Sequence, residues 1–411
     1  MDRLLVKNIG VLATPEGRSA KGGKAQGEIR TLRNAWVRIE GGLITGLGSG
    51  EPEGTENARI LDAGGRLATP GLVDAHTHLV FGGWRQNELA LKLRGTPYLD
   101  ILAQGGGILS TVRATRAASE KELEDKARLA LDEMLAFGTT TCEAKSGYGL
   151  DKETELHQLR AIRALDGSHP IDLVPTFLGA HALSEEYKND RQGYIRLLCG
   201  DIIPAIAAEG LASFCDVFCE TGVFTAEESR TILEAGKAHG LLPKIHADEI
   251  NPIGGSRLAG EIGAVSAEHL IVCPPEGIAA MAAGGTAACL LPATSFYLGA
   301  AYAPAREMVS AGVPVALATD FNPGSCPCLN MQLVMSLGCL KYRLTPEEVL
   351  SAVTLNAAAA IKRAESVGSL EPGKLGDLVI WDGPDLNYIC YRLGSNLAHT
   401  VIKKGVPYGK E

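Results

Sequence analysis

Eight apolar runs of strand length alternate with helical stretches through the middle of the chain, and this alternation constrains the fold more than any other feature. The runs are Leu72–Phe81, Thr139–Ser146, Asp172–Ala182, Phe214–Glu220, Pro243–Asp248, Ala264–Leu270, Thr286–Ala293 and Val313–Asp320. Between the first two, Glu120–Phe137 carries Leu123, Ala127, Ala130, Leu131, Met134 and Leu135 at spacings of three and four, the signature of one buried helix face. Ser119 with Glu122 three residues on predicts a capping box, and Gly138 predicts the stop. Strands that are apolar throughout are buried on both faces, as in a parallel sheet covered by helices. Eight βα units in about 300 residues predict an α/β fold, a TIM (β/α)8 barrel, over residues 68–364.

The chain ends differ. Residues 1–67 and 365–411 contain short strands broken by glycine turns, at Ala35–Ile39, Gly42–Leu47, Leu378–Trp381 and Thr400–Lys403. Neither piece is large enough to bury a core alone. The expectation is one composite β-sandwich domain built from both, with the Gly- and Lys-rich stretch Ser19–Gly27 as an exposed loop.

Composition excludes some partners. Lys plus Arg is 39 against 48 Asp plus Glu, a net charge of -9, which argues against a nucleic-acid surface. The 10 cysteines show no zinc-knuckle spacing, and free thiols in a reducing cytoplasm are expected. The N-terminal apolar run stops at Lys7 and Asn8, too early for a signal peptide. From Gly277 to Ala305 there is no charge, a length that spans a bilayer. Its Gly and Ala content, with Pro292 and Pro304, reads instead as a buried strand beside a helix, so no membrane is expected.

The chemistry sits at the C-terminal ends of the strands, which share one face of a barrel. The first run contains Asp74-Ala-His76-Thr-His78, whose two histidines, two residues apart, point the same way on a strand. The fifth ends in His246-Ala-Asp248-Glu249 and the eighth in Thr319-Asp320-Phe321-Asn322. His76, His78, His246 and Asp320 make an N3O set suited to zinc or iron, with a position open for water. A single strand histidine is usually a satisfied core residue; the joint pattern in barrel order is far more specific. His269, ending the sixth strand, reads either as a catalytic helper or as a core histidine. Lys145 and Glu220 also lie near strand ends and would be needed for a second metal, but a mononuclear site is the simpler reading.

Gly71-Leu-Val-Asp-Ala-His-Thr-His78 resembles the opening of amidohydrolase barrels, and Gly368-Ser-Leu-Glu-Pro-Gly-Lys-Leu-Gly-Asp-Leu-Val-Ile380 resembles the return strand of that superfamily's small β-domain. Within it, His76–Glu88, Gly105-Gly-Gly-Ile108, Glu143-Ala-Lys-Ser-Gly-Tyr-Gly149, Leu178-Gly-Ala-His181, His246-Ala-Asp-Glu249 and Ala318-Thr-Asp-Phe-Asn-Pro-Gly-Ser325 resemble the imidazolonepropionase family. The resemblance implies one divalent or trivalent metal ion per chain, zinc or iron, on His76, His78, His246 and Asp320. It implies substrate contacts at Arg85, Tyr148, His181, Glu249, Asn322, Gly324 and Ser325, with Tyr98 also lining the pocket. Catalytic roles would fall to Glu249, His269 and Asp320. The implied reaction is hydrolysis of the cyclic C–N amide bond of imidazolone propionate to N-formimidoyl-glutamate in histidine degradation, by a cytoplasmic homodimer. Cys328-Leu329 stand where this family leads one to expect Thr-Glu, which puts the shape of the loop after Ser325 in doubt. Two rival readings remain: a nucleobase deaminase on the same scaffold, and an inactive barrel serving as an assembly protein. The second is disfavoured because all four expected ligands are present.

Overall fold

The computed structural model describes residues 3–52, 56–96 and 105–409. Eight parallel strands form the central sheet: β6 (Leu72–Asp74), β7 (Thr139–Lys145), β8 (Asp172–Ala180), β9 (Phe214–Cys219), β10 (Leu242–Ala247), β11 (Ser266–His269), β12 (Ala287–Leu290) and β13 (Val315–Leu317). Each pairs with the next in chain order, and every expected run contributes one strand. The ring closes just past the ends of β6 and β13. Thr77 bridges Phe321, and the Asp320 and His78 amides donate to the carbonyls of His76 and Phe321 at 3.0 and 2.8 Å. The buried Asp74 carboxylate accepts from both the amide and the hydroxyl of Thr319, at 3.0 and 2.6 Å. The result is a TIM-type barrel, closed by two strands far apart in sequence.

Helix boundaries follow local chemistry. The helix Glu120–Ala136 starts at a complete Ser119/Glu122 capping box and buries Leu123, Ala127, Leu131, Met134 and Leu135. The uncharged stretch resolves into the helix Pro275–Gly284, β12 and the helix Pro292–Leu298. Among the described residues no helix is long and apolar enough to cross a membrane.

The chain ends build one mixed sheet. It contains β1 (Arg3–Pro15), β2 (Ile29–Glu40), β3 (Leu43–Ser49), β4 (Arg59–Asp62), β5 (Leu67–Pro70), β14 (Leu378–Trp381), β15 (Ala398–Lys403) and β16 (Val406–Gly409). Its order is β16-β15-β14-β5-β1-β2-β3, with β4 also on β1. The sheet folds over its own core, in which Leu4, Val6, Ile9, Val37 and Ile39 meet Leu378, Ile380 and Ile402. Ile39 packs so closely on Gly376 and Gly405 that a Cβ at either would lie under 3 Å from it. The Lys7-Asn8 break that interrupts the first apolar run is a bulge: Asn8 has φ 55 and the β1–β2 register shifts there.

The stretch Ser19–Gly27 departs from expectation. It is not an exposed loop. Gly23–Gly27 forms a 3-10 turn, and the fully buried Gln26 side chain pairs with both backbone groups of Val315 on β13. The Lys21 amide donates to Asn356 at 2.7 Å. The Gly content that reads as looseness serves close approach: a Cβ on Gly22 would lie 2.1 Å from the Gly312 carbonyl oxygen.

Because both ends share one core, Leu378→Ala is expected to destabilise the fold by about 2–5 kcal/mol, the usual range for an emptied leucine site. Leu378 is 0% exposed. Hydrogen exchange should show lost protection in β1 as well as β14. Unchanged protection of β1 amides in a destabilised variant would mean that the two ends are cored separately.

Candidate functional site

Four polar side chains converge at the C-terminal mouth of the barrel. Nε2 of His76 and Nε2 of His78 lie 3.4 and 3.5 Å from the same oxygen, Oδ1 of Asp320. His246 completes the group: His76, His78 and His246 offer ring nitrogens all within 4.8 Å of one another. A tetrahedral ion with bonds of about 2.1 Å has ligand–ligand edges of roughly 3.4 Å, so this spacing fits zinc or a similar ion. The buried Nε2 atoms of His76 and His246 have no hydrogen-bond partner. Orphaned imidazole nitrogens aimed at one point are expensive in a protein interior unless something completes them. The donor set therefore fits a metal ion.

The backbone is turned unusually to present these groups. Asp248, His269 and Asp320 lie at strand ends with φ of 51, 67 and 58°, left-handed conformations that cost a non-glycine residue on the order of 1 kcal/mol or more. Backbone hydrogen bonds hold each turn, from Asp320 to His76, from Leu270 to Ala247 and from Val272 to Asp248.

The other groups expected at the site surround this centre. His181 stacks on His78 with ring centroids 4.8 Å apart and pairs through Nδ1 with the Gly147 carbonyl at 3.0 Å. Burial, reinforced by His246, pushes its pKa down to about 3, so it is a neutral imidazole with Nε2 as acceptor. Tyr148 is buried with its ring 5.3 Å from His181 and 5.8 Å from His78. His269 Nε2 faces Glu249 Oε2 at 3.7 Å. Burial pushes His269 down to about 4, and burial helped by the charge of Glu220 pushes Glu249 up to about 7. Asp248 is 0% exposed and the Glu249 side chain 17%, so neither is a freely solvated surface acid.

Arg85 is nearly buried, at 11% side-chain exposure, and its guanidinium lies directly over Gly324, where a Cβ would collide with it. Its charge reaches His181. Asn322 has a different employment from its neighbours. Its Nδ2 donates to the Asp320 carbonyl and to Ser325 Oγ, and its Oδ1 accepts from the amides of Gly324 and Ser325. It holds the loop 320–326 in shape, and Gly324 and Ser325 take their positions from it. Tyr98 lies outside the described residues.

Lys145 and Glu220 are committed elsewhere. Lys145 Nζ lies 2.8 Å from Asp216 and 2.9 Å from Glu143. Burial opposes its charge, but Asp216, Glu143 and Glu268 outweigh it and hold the ammonium above the ordinary lysine range. A lysine that bridges two metals must first lose its proton. Glu220 accepts from the Thr221, Ile250 and Asn251 amides and from Asn251 Nδ2, which pins the loop after β10.

Sequence reading missed several residues here. Glu268, Asp216, Glu143 and Lys244 are charged yet 0% exposed inside strands. The signal was present: a charge in the middle of an apolar strand run needs a partner or a function. Glu155, on the helix Lys152–Asp166, was also missed. It accepts from the amides of Gly147, Gly149 and Leu150 and so shapes the Tyr148 loop.

The model of the "Amidohydrolase family" matches residues 220–407. A protein of Alkaliphilus metalliredigens named imidazolonepropionase is 52% identical over 408 residues, 98% of this chain and 97% of its own. One from Bacillus velezensis with the same name is 52% identical over 403 residues, 98% and 96% of the two chains. Among solved structures, an atrazine chlorohydrolase from Arthrobacter aurescens complexed with zinc superposes with a TM-score of 0.72 at 19% identity, covering 99% of this chain and 95% of that one. An adenosine deaminase from Xanthomonas campestris with bound zinc gives 0.71 at 19% identity, over 98% and 92%.

Proposed function

This chain belongs to the imidazolonepropionase family of amidohydrolases, and from that premise we propose that His76, His78, His246 and Asp320 hold one metal ion, zinc or iron, for the hydrolytic opening of the ring of imidazolone propionate. The product is N-formimidoyl-glutamate. What carries the reading is the pairing, across one barrel mouth, of a convergent N3O donor set with a nearly buried guanidinium suited to a substrate carboxylate.

When bound, the metal supplies an activated water and polarises the ring carbonyl. The side chains do the rest. Arg85 grips the propionate, with Tyr148 and His181 beside it, while the loop held by Asn322, with Gly324 and Ser325, forms the opposing wall. Asp320, whose Oδ2 is fixed by Thr294 at 2.6 Å, takes the proton of the attacking water. Glu249, with a carboxyl pushed up to about 7, starts protonated and gives its own proton to the leaving ring nitrogen as the C–N bond breaks; on product release Asp320 returns its proton to solvent and Glu249 takes one up. His269, neutral at pH 7, offers its N–H to the developing oxyanion.

We further propose a domain division of 68–364 for the barrel and 1–67 with 365–411 for the small domain, and a homodimer working in the cytoplasm on a free small molecule. The net charge of -9 supports the absence of nucleic acid from its chemistry.

The test is turnover of imidazolone propionate by metal-loaded protein, followed as loss of ring absorbance. Wild type should react, whereas Glu249→Gln and His269→Asn should keep their metal and lose about 10²–10⁴-fold in kcat. No turnover by metal-loaded wild type would overturn the substrate assignment. Wild-type rates in both variants would remove them from proton transfer.

A further inference from the structure

The floor of the barrel beneath the proposed metal site holds five charged side chains that the reaction does not use. Glu143 and Lys145 lie on β7, Asp216 on β9, Lys244 on β10 and Glu268 on β11, all 0% exposed. Glu143 bridges the two lysines, at 2.9 Å to Lys145 and 2.7 Å to Lys244, and accepts from Thr176 Oγ1 at 2.6 Å. Lys145 lies 2.8 Å from Asp216, and Lys244 lies 3.4 Å from Glu268. Ser266 Oγ donates to Glu268 Oε1 at 2.5 Å.

The two outer carboxylates point upward. Glu268 Oε2 lies 2.7 Å from Nδ1 of His76. Asp216 Oδ2 lies 3.0 Å from Nδ1 of His246, at ion-pair rather than hydrogen-bond geometry. Buried ion clusters are costly, and well-packed apolar residues often stabilise a core better. Their presence here has a more specific use. A carboxylate accepts but cannot donate, so the imidazole nitrogen facing it must carry the proton. The other nitrogen, Nε2, then keeps its lone pair toward the mouth. Three carboxylates against two ammoniums also leave an excess negative charge below a cation.

We propose that Glu268 and, in parallel, Asp216 are positioning residues that fix His76 and His246 in the Nδ1–H tautomer, with Lys244, Lys145 and Glu143 holding the two carboxylates in place. This deepens the metal-site reading above and rests on it. It concerns residues that touch neither substrate nor metal.

The test uses the full-length protein, stripped of metal and carrying 15N-labelled histidine. Long-range 1H–15N spectra report the tautomer of each imidazole, with His76 assigned by the signal lost in His76→Asn. Wild type should show His76 as the Nδ1–H form. Glu268→Met removes the acceptor and should shift His76 toward the Nε2–H form. Its zinc affinity, measured by competition with a chromophoric chelator, should fall about 10–100-fold. Glu268→Gln keeps an acceptor oxygen and should retain the wild-type tautomer with a smaller loss. A purely structural role would lower thermal stability in both variants and leave the tautomer alone. An unchanged tautomer and zinc affinity in Glu268→Met would overturn the proposal. If that variant does not fold, Asp216→Leu, which likewise removes the acceptor, with His246 as the reporter decides the question by the same two measurements. Failure of the wild type to bind zinc at all would sink the metal reading, while the tautomer measurement still decides this one.

Discussion

Replacing His246 by alanine is expected to reduce bound metal from about one ion per chain to under about a tenth after dialysis, and to lower turnover by on the order of 10³-fold or more, since the ion supplies several kcal/mol of transition-state stabilisation. The size of the effect follows from the geometry. His246 is the one proposed ligand contributed from the far side of the barrel, on β10, whereas His76 and His78 follow β6 and Asp320 follows β13 beside it. Without His246 the remaining donors approach from one side only and leave the ion half open. The substitution also removes the imidazole that faces Asp216, whose carboxylate is 0% exposed and keeps only Lys145 and the Val217 amide as partners. Metal analysis of wild type and variant by mass spectrometry measures this directly. A reproducible stoichiometry of two in the wild type would contradict a mononuclear site and would require Lys145 or Glu220 to leave the partners described above.

The second large effect is expected at the substrate carboxylate. Arg85→Met should lower kcat/KM for imidazolone propionate by roughly 2–4 kcal/mol, the range for breaking a charge-assisted contact that leaves a charge unpaired. Metal content should not change. The competing view is that Arg85 is already satisfied by Glu88. The distances disfavour it: the Arg85 Nε to Glu88 separation is 3.8 Å, and Nε has no hydrogen-bond partner. The second carboxylate oxygen of Glu88 is occupied by the Gly107 amide at 2.7 Å. A guanidinium this enclosed and this loosely paired is suited to two parallel hydrogen bonds with an incoming carboxylate, a geometry a lysine cannot supply. Gly324 leaves room for this position, since any side chain there would displace the guanidinium. Equal turnover of uncharged ring analogues by wild type, or an unimpaired Arg85→Met variant, would remove the clamp. A nucleobase deaminase on this scaffold would behave in just that way.

Much of the architecture was legible without coordinates because its causes are local. A parallel strand buried on both faces must be apolar along its length, and a helix packed on it must repeat at three and four. Hence the eight barrel strands and the Ser119 capping box could be read from the chain. The HxH spacing places His76 and His78 on one side for the same local reason, and strand-end positions direct His246 and Asp320 to the same face.

Other features depend on partners distant in sequence. Ser19–Gly27 has the composition of a loop, and only the packing of Gln26 against Val315 makes it part of the barrel. Asn322 has the residue type of a substrate contact, yet its amide is consumed within its own loop. The charged residues buried in β7, β9, β10 and β11 are the clearest case. In sequence each is an anomaly in an apolar run, because a buried charge is tolerable only with an opposite charge at hand, and those partners lie on neighbouring strands. Periodicity and strand-end placement, which act over a few residues, determined the frame and the placement of the donors proposed for the metal. The tertiary structure decided which carboxylate stands behind which histidine: Glu268 is paired in register with His246 on the neighbouring strand, yet its carboxylate lies against His76, while Asp216 lies against His246.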